Sequence, residues 1–409
     1  MTDTAATNEQ IRNELVLPYL NHAVRMYETS YATRADIDAA MRFGCGYPKG
    51  PLSTLDELGL DRVRDLLAAR FAETGDDLHK PADLLEKLIA DGRTGAAAGR
   101  GFYRYESGEA VADEESPSAD DAARLRHEIL KVGVVGTGTM ASGIVEVFAK
   151  SGYDVVYVGR SEEKAASVEA RITKSLDKAI SKGKLDEAGR DEVLDHLTAA
   201  TTRDALGDVD IVVEAIAEDL AVKTELFGDL DRICKPGAIL ATTTSSLPIT
   251  ECAKATSRPE SVIGMHFFNP APIMKLVEVV TTEQTSPEVD ETVKALCSSI
   301  GKVAVSCSDR AGFIVNALLF PYLNDAVKVV DEGRAEVETI DEAIKEQAGF
   351  PMGPFALLDV VGNDVSLAIQ RELLAEFKEP GLTPAAGLEK AVAAGNLGRK
   401  SGRGFHDYH

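Results

Sequence analysis

Residues 13–24 and 316–327 of this 409-residue chain are one segment written twice. At an offset of 303, Asn13-Glu14-Leu15-Val16-Leu17-Pro18-Tyr19-Leu20-Asn21-His22-Ala23-Val24 faces Asn316-Ala317-Leu318-Leu319-Phe320-Pro321-Tyr322-Leu323-Asn324-Asp325-Ala326-Val327. The register then holds without a gap. Gly46, Pro48, Gly50, Pro51, Leu55, Asp56, Gly59 and Asp61 face Gly349, Pro351, Gly353, Pro354, Leu358, Asp359, Gly362 and Asp364. Gly99-Arg100-Gly101-Phe102 faces Gly402-Arg403-Gly404-Phe405. Turn residues that recur in register require the same turns, so the two segments are expected to share a fold. A period this long means a duplicated domain and not a solenoid.

Between the copies the pattern changes. Residues 11–105 carry apolar positions at helical spacing, as in Leu15 to Tyr27 and Leu84 to Ile89, broken by turn clusters at Gly44 to Pro51 and Gly92 to Gly101. From Glu106 to Asp121 the chain is acidic and rich in Ser, Ala and Asp, the composition of a linker with little core to build. At Lys131 short β-branched runs begin to alternate with helical stretches. Val132–Val135, Val155–Val158, Ile211–Val213, Ala238–Thr242 and Val262–Met265 are candidate strands. That alternation predicts an α/β, Rossmann-like, doubly wound domain with a parallel sheet covered by helices. The expected order is a helical domain at 1–105, an acidic linker at 106–127, a dinucleotide-binding domain at 128–309 and a helical domain at 310–409.

A formal charge of −23 disfavours nucleic acid as the main partner, because phosphate backbones demand a basic surface. No run of about 18 apolar residues suggests a membrane span, and the first residues are too polar for a secretory signal. The five cysteines are odd in number and lack a Cys-x-x-Cys, which favours reduced thiols in a cytoplasm over a disulfide frame or a metal site.

Two stretches of the middle segment carry chemistry. Val132-Gly133-Val134-Val135-Gly136-Thr137-Gly138-Thr139-Met140-Ala141 ends a strand and opens a helix. Gly136 permits the tight turn, Gly138 allows a pyrophosphate to approach the backbone, and Ala141 is small enough for close helix–strand packing. A glycine-rich turn by itself is compatible with a loop that binds nothing. The strand before it, the helix after it and the next strand favour dinucleotide binding. That next strand ends Val158-Gly159-Arg160, without the acidic residue that usually holds a ribose 2′-hydroxyl. A missing carboxylate and an adjacent arginine favour a 2′-phosphate, hence NADP over NAD, although a solvated surface arginine is the plainer reading.

Further on, Thr244-Ser245-Ser246 follows an apolar strand, and Gly264-Met265-His266-Phe267-Phe268-Asn269-Pro270 ends another. Glu278 lies in the strand after that, where a turn at Asn269 to Pro272 can bring carboxylate and imidazole together. The pair suits a general base whose ring is oriented by the acid. Taken alone, a histidine among phenylalanines is more often a packed core residue than a base, and the glutamate on an otherwise apolar strand shifts that balance toward chemistry.

These residues resemble the 3-hydroxyacyl-CoA dehydrogenase family, from about Val132 to the C-terminus. The resemblance is carried by the Gly-x-Gly-x-Met turn, Val213-Glu214-Ala215-Ile216-Ala217-Glu218, Thr244-Ser245-Ser246, His266-Phe267-Phe268-Asn269-Pro270 and Gly312-Phe313-Ile314-Val315-Asn316. It implies a 3-hydroxyacyl-CoA dehydrogenase with 3-hydroxybutyryl-CoA among its substrates, working in fatty-acid or related CoA-thioester metabolism. His266 would remove the hydroxyl proton with Glu278 as its partner, while Ser245 and Asn316 position substrate oxygens. It further implies that Glu218, Lys223, Asn269 and Lys400 line the cofactor side and that Ser175 and Lys182 meet coenzyme A; with Gly136, Thr137, Gly138, Thr139, Met140 and Ala141 of the turn, Arg160 after the second strand, and Ser245, these make up the expected cofactor site. A dehydrogenase of another hydroxy acid on this scaffold, or a non-catalytic dinucleotide-binding protein, are the rival expectations.

The first copy departs from the family pattern. It keeps Asn13 but has Ala96-Ala97 where the second has Arg399-Lys400, and no His–Glu segment precedes it. A structural role is expected, as a partner within the chain that takes the place of a second subunit at the helical domain. The alternative is a homodimer through the helical domains.

Overall fold

The computed structural model describes residues 3–116 and 123–408, in two compact units. One joins Met1–Ser116 to Ala311–His409, and the other is Pro117–Arg310.

The chain begins with α1 (Asp3–Glu28), α2 (Arg34–Cys45), α3 (Pro51–Leu58), α4 (Leu60–Thr74) and α5 (Asp83–Ala90), followed by a hairpin of β1 (Arg104–Glu106) and β2 (Glu109–Val111). The acidic stretch expected to be a bare linker therefore has structure at its start. Asp113 goes further and pairs with the buried Arg34, its own carboxylate only 5% exposed. Residues 117–122 of that stretch lie outside the described residues.

The α/β unit holds an eight-stranded sheet. Its elements are β3 (Lys131–Val135), α6 (Thr139–Lys150), β4 (Asp154–Val158), α7 (Glu162–Ser181), α8 (Glu187–Asp195), β5 (Leu197–Ala200), β6 (Ile211–Glu214), α9 (Leu220–Ile233), β7 (Ile239–Thr242), α10 (Ile249–Lys254), β8 (Val262–Phe267), β9 (Leu276–Thr281), α11 (Pro287–Ser299) and β10 (Val303–Ser308). The spatial order is β10-β9-β8-β7-β6-β3-β4-β5. Strand order reverses between β3 and β6, the place where doubly wound sheets leave a crevice at their carboxyl ends. The central strands are apolar on both faces, as burial under two helical layers demands. One pair departs from the expected parallel sheet: β8 and β9 run antiparallel, with His266 directly opposite Glu278.

The second helical copy comprises α12 (Val315–Asp331), α13 (Val337–Ala348), α14 (Pro354–Val361), α15 (Asn363–Phe377) and α16 (Ala386–Ala393). It repeats the buried polar scaffold of the first. Asp38 accepts the backbone N–H groups of Leu52 and Ser53 at the start of α3, and Asp341 those of Phe355 and Ala356 at the start of α14. A Cβ on Gly50 or Gly353 would fall within 2.3 Å of those aspartates, which explains the repeated Gly-Pro. Asp56 caps the N–H groups of Phe102 and Tyr103, and Asp359 those of Phe405 and His406. Gly101 and Gly404 stand where any side chain would strike these carboxylates. Asn21 and Asn324 each accept from the backbone N–H of the alanine before the fifth helix of their copy, Ala82 and Ala385.

The copies pack on each other within their unit. Tyr47 stacks on Phe350 with centroids 3.7 Å apart, and Tyr19 meets Tyr322 at 6.1 Å. The helix-ending Gly46 faces Pro351 and Gly349 faces Pro48, a reciprocal pattern about a local two-fold. Glu14 of the first copy pairs with Arg334 of the second.

Candidate active site

Antiparallel pairing explains the His266–Glu278 spacing. Residues opposite each other on neighbouring strands project from the same face with their Cβ atoms about 5 Å apart. The connection 268–275 sets the register. His266 Nδ1 lies 2.7 Å from Glu278 Oε2, and Nε2 lies 3.1 Å from Ser245 Oγ. Glu278 is fully buried and His266 is 5% exposed. A buried carboxylate needs a donor, and the imidazole supplies it. With Nδ1 so occupied, Nε2 is the nitrogen turned toward Ser245 and chemistry. Phe268 packs beside the ring, with centroids 4.6 Å apart.

Ser245 is fixed from the other side. Its backbone N–H donates to Glu218 Oε1 at 2.9 Å, and the Thr244 hydroxyl donates to the same oxygen. Glu218 also meets Lys223 at 3.2 Å. Lys223 does not line an open surface. It is 1% exposed and its ammonium sits on Glu214 at 2.7 and 2.9 Å. The lysine expected on the cofactor side is thus held by the carboxylates of Glu214 and Glu218 in this structure. Glu214 was missed as a site residue. It ends β6, is fully buried, and accepts from Thr242 Oγ1 at 2.6 Å and Ile216 N at 2.7 Å. A charged residue closing the apolar run Ile211-Val212-Val213 was the signal that could have found it.

The phosphate turn has the required shape. Gly136 has φ 137°, and a Cβ there would lie 2.3 Å from the Ala215 carbonyl oxygen. Around Gly138 nothing lies within 4 Å of a Cβ position, so the backbone is open to a ligand. No side chain caps α6 at Gly138, which leaves its first N–H groups free for phosphate oxygens. Ala141 is fully buried, as its place in the turn requires. Thr137, Thr139 and Met140 complete the turn, and Arg171 donates to the Thr137 carbonyl at 2.6 Å. These residues fit a dinucleotide.

Arg160 and Asn269 are exposed in this unit. Gly159 is buried, and a Cβ there would lie 2.9 Å from both Ala165 N and Thr137 Cγ2. Ser175 is turned inward, its hydroxyl 3.0 Å from the buried Glu146, while Lys182 at the end of α7 is exposed. Asn316 and Lys400 belong to the helical unit, where Asn316 is 8% exposed on α12 and Lys400 pairs with Asp364.

A doubly wound sheet with an open phosphate turn, and a Ser–His–Glu line near its switch point, defines a nicotinamide-dependent oxidoreductase scaffold. Comparison with known proteins narrows this. The model of the 3-hydroxyacyl-CoA dehydrogenase NAD-binding domain matches residues 131–310, and that of the same family's C-terminal domain matches twice, at 11–105 and 312–408. The chain belongs to the 3-hydroxyacyl-CoA dehydrogenase family, and its N-terminal domain is an extra copy of the C-terminal one. It is 47% identical over 279 residues to the 3-hydroxybutyryl-CoA dehydrogenase of Clostridioides difficile, covering 68% of this chain and 99% of that protein. It is 44% identical over 304 residues to the mitochondrial hydroxyacyl-coenzyme A dehydrogenase of Homo sapiens, covering 72% and 96%. The solved (S)-3-hydroxybutyryl-CoA dehydrogenase of Ralstonia eutropha superposes with a TM-score of 0.68 at 41% identity, covering 69% of this chain and all of that one.

Proposed function

We propose that this chain interconverts (3S)-3-hydroxyacyl-CoA and 3-oxoacyl-CoA, with 3-hydroxybutyryl-CoA among its substrates, in fatty-acid or related CoA-thioester metabolism of the cytoplasm. The observation that carries the reading is the line Ser245 Oγ–His266 Nε2 and His266 Nδ1–Glu278 Oε2. When bound, the nicotinamide supplies the acceptor or donor of the hydride at C3. His266 Nε2 takes the C3 hydroxyl proton in the oxidation direction and returns it in reduction. Glu278 holds the ring by Nδ1 and stabilises the imidazolium that forms. Ser245 donates to the substrate oxygen and fixes its distance from Nε2. In this reading Asn316 holds the same oxygen, Lys400, Asn269 and Glu218 face the cofactor, and Ser175 and Lys182 meet coenzyme A.

The proposed preference for NADP(H) rests on Arg160 beside a position without a carboxylate. Packing against α7 and Thr137 gives Gly159 a second reason to be glycine, so a glycine-to-aspartate exchange is a poor test. Arg160→Gln is the better one. It removes the fork and should cost NADPH several-fold in kcat/KM while sparing NADH. The first helical copy is proposed to act as an internal partner in place of a second subunit. Initial rates with acetoacetyl-CoA and a longer 3-oxoacyl-CoA, each with NADH and NADPH, test substrate and cofactor together. Absence of turnover with every pair would overturn the activity, and a wide margin for NADH in the unaltered protein would overturn the NADP reading.

A further inference from the structure

Lys302 stands at the foot of β10 and is 8% exposed. Its ammonium donates to two main-chain oxygens, Ala271 at 2.5 Å and Met274 at 2.7 Å. Both carbonyls belong to the connection 268–275, which leaves β8 two residues after His266 and enters β9 two residues before Glu278. The connection is held elsewhere too. Ile273 and Met274 donate back to the Pro270 carbonyl at 2.9 and 3.0 Å, and Val303 donates to the Lys275 carbonyl at 2.8 Å. On its far side Ala271 and Pro272 lie over α6 at Gly143, where a Cβ would come within 3.2 Å of the Ala271 methyl and 3.1 Å of the Pro272 ring. The connection is thus wedged between the helix that opens at the phosphate turn and one buried ammonium.

That ammonium is an expensive way to hold a turn. Burial disfavours its charge and the charge on Lys150 adds to the cost, so its proton affinity is lowered. The partners of the ammonium are those two carbonyl oxygens and not a carboxylate. Replacing it by an apolar side chain would leave both carbonyl oxygens without this donor, so the lysine contributes to stability as well as to geometry. Two carbonyls drawn to one charge fix the connection far more sharply than neutral contacts do.

We propose that Lys302 is a positioning residue for the catalytic pair: its ammonium sets the 268–275 connection, and through it the register at which His266 meets Glu278. This rests on the His266–Glu278 reading given above. Mis-setting a reacting group by about 1 Å can cost about 100-fold in rate, and the lysine acts only through that geometry.

The test is a double-mutant cycle in the full-length protein, with Lys302→Met, Glu278→Gln and both together, assayed with acetoacetyl-CoA and NADH. Lys302→Met is expected to lower kcat by about 10- to 100-fold with both KM values changed less than about threefold. In the Glu278→Gln background the same change should cost much less, because the pair it serves is already impaired. Equal losses in both backgrounds, or a lowered melting temperature with unchanged kcat, would show a merely structural lysine and overturn the proposal. Lys302→Gln, which keeps a shorter donor, covers the case in which the methionine variant does not fold, and should fall between it and the unaltered protein. Wild-type turnover in Glu278→Gln would instead strike the catalytic pair itself, an outcome distinct from wild-type turnover in Lys302→Met alone.

Discussion

The two nitrogens of His266 have different neighbours, and catalysis is assigned on that difference. Nδ1 is committed to Glu278 and Nε2 looks toward Ser245. Replacing His266 by Gln keeps the size of the side chain but removes the base. Turnover should fall by about two to four orders of magnitude while NADH binding, followed by fluorescence, stays near that of the unaltered protein. Near-normal turnover would remove His266 from its role. Glu278→Gln should act in the same direction, because a neutral amide cannot stabilise the imidazolium. This part of the site was legible in the sequence because strand pairing turns a fixed spacing into a contact. Lys223 was not. Its chain position said nothing of a carboxylate nine residues earlier with which it would be buried, since the pairing depends on how α9 returns to the end of β6. Gly159 carries a similar lesson: an absent carboxylate looked like a cofactor preference, while the structure adds a steric reason for the same residue.

Among the elements, the repeat was read from its glycines and prolines, and the structure supplies their cause in the buried aspartates and asparagines that cap the turns. Asn324 is 1% exposed, donating to the Thr383 carbonyl at 2.9 Å and accepting from Ala385 N at 2.8 Å. Asn324→Ala leaves both backbone groups unmet and should cost about 2 kcal/mol or more in unfolding free energy, read from denaturant melts. A loss below about 0.5 kcal/mol would mean that the α16 turn is held by other contacts. The hairpin β1–β2 and the edge strands β5 and β10 escaped the sequence analysis for one reason. In the hairpin and β5 half or more of the residues are exposed, and β10 buries only Val305 and Cys307 among small and hydroxyl-bearing neighbours, so the run of large apolar residues that signals a strand is weak in each. The hairpin is followed by Asp113, which Arg34 pins. Hydrogen bonds from that guanidinium, the largest influence, together with its charge outweigh the cost of burial and hold the carboxyl at about 2. The folded value lies below the ordinary one, so the stabilisation is present above the usual carboxylate range and is lost as pH falls toward 2. Asp113→Asn should therefore lower the melting temperature at neutral pH, with the gap narrowing between about pH 5 and about pH 2. A gap of the same size at both ends of that range would contradict the assignment.

At the scale of the whole molecule the question is why a dehydrogenase carries a helical domain with no catalytic segment of its own. The faces of the two copies supply the physical argument. Tyr19, Tyr47, Tyr322 and Phe350 meet in one aromatic cluster, all buried or nearly so, and the ends of α2 and α13 approach each other reciprocally at Gly46 and Gly349. An apolar face of this kind is costly to leave in water. Removing residues 1–127 would uncover Tyr322 and Phe350 while leaving Ser245, His266, Glu278 and Asn316 in the chain. The truncated protein is expected to aggregate or to self-associate through its own helical domain, with any soluble fraction keeping part of its turnover. A reciprocal surface can satisfy itself with a second copy, so a discrete dimer is as much an expected product as a precipitate. Light scattering, thermal melts and acetoacetyl-CoA reduction on the full and truncated chains would decide. If the truncated chain stayed monomeric, melted as high as the full one and turned over as fast, the first helical copy would have no supporting role.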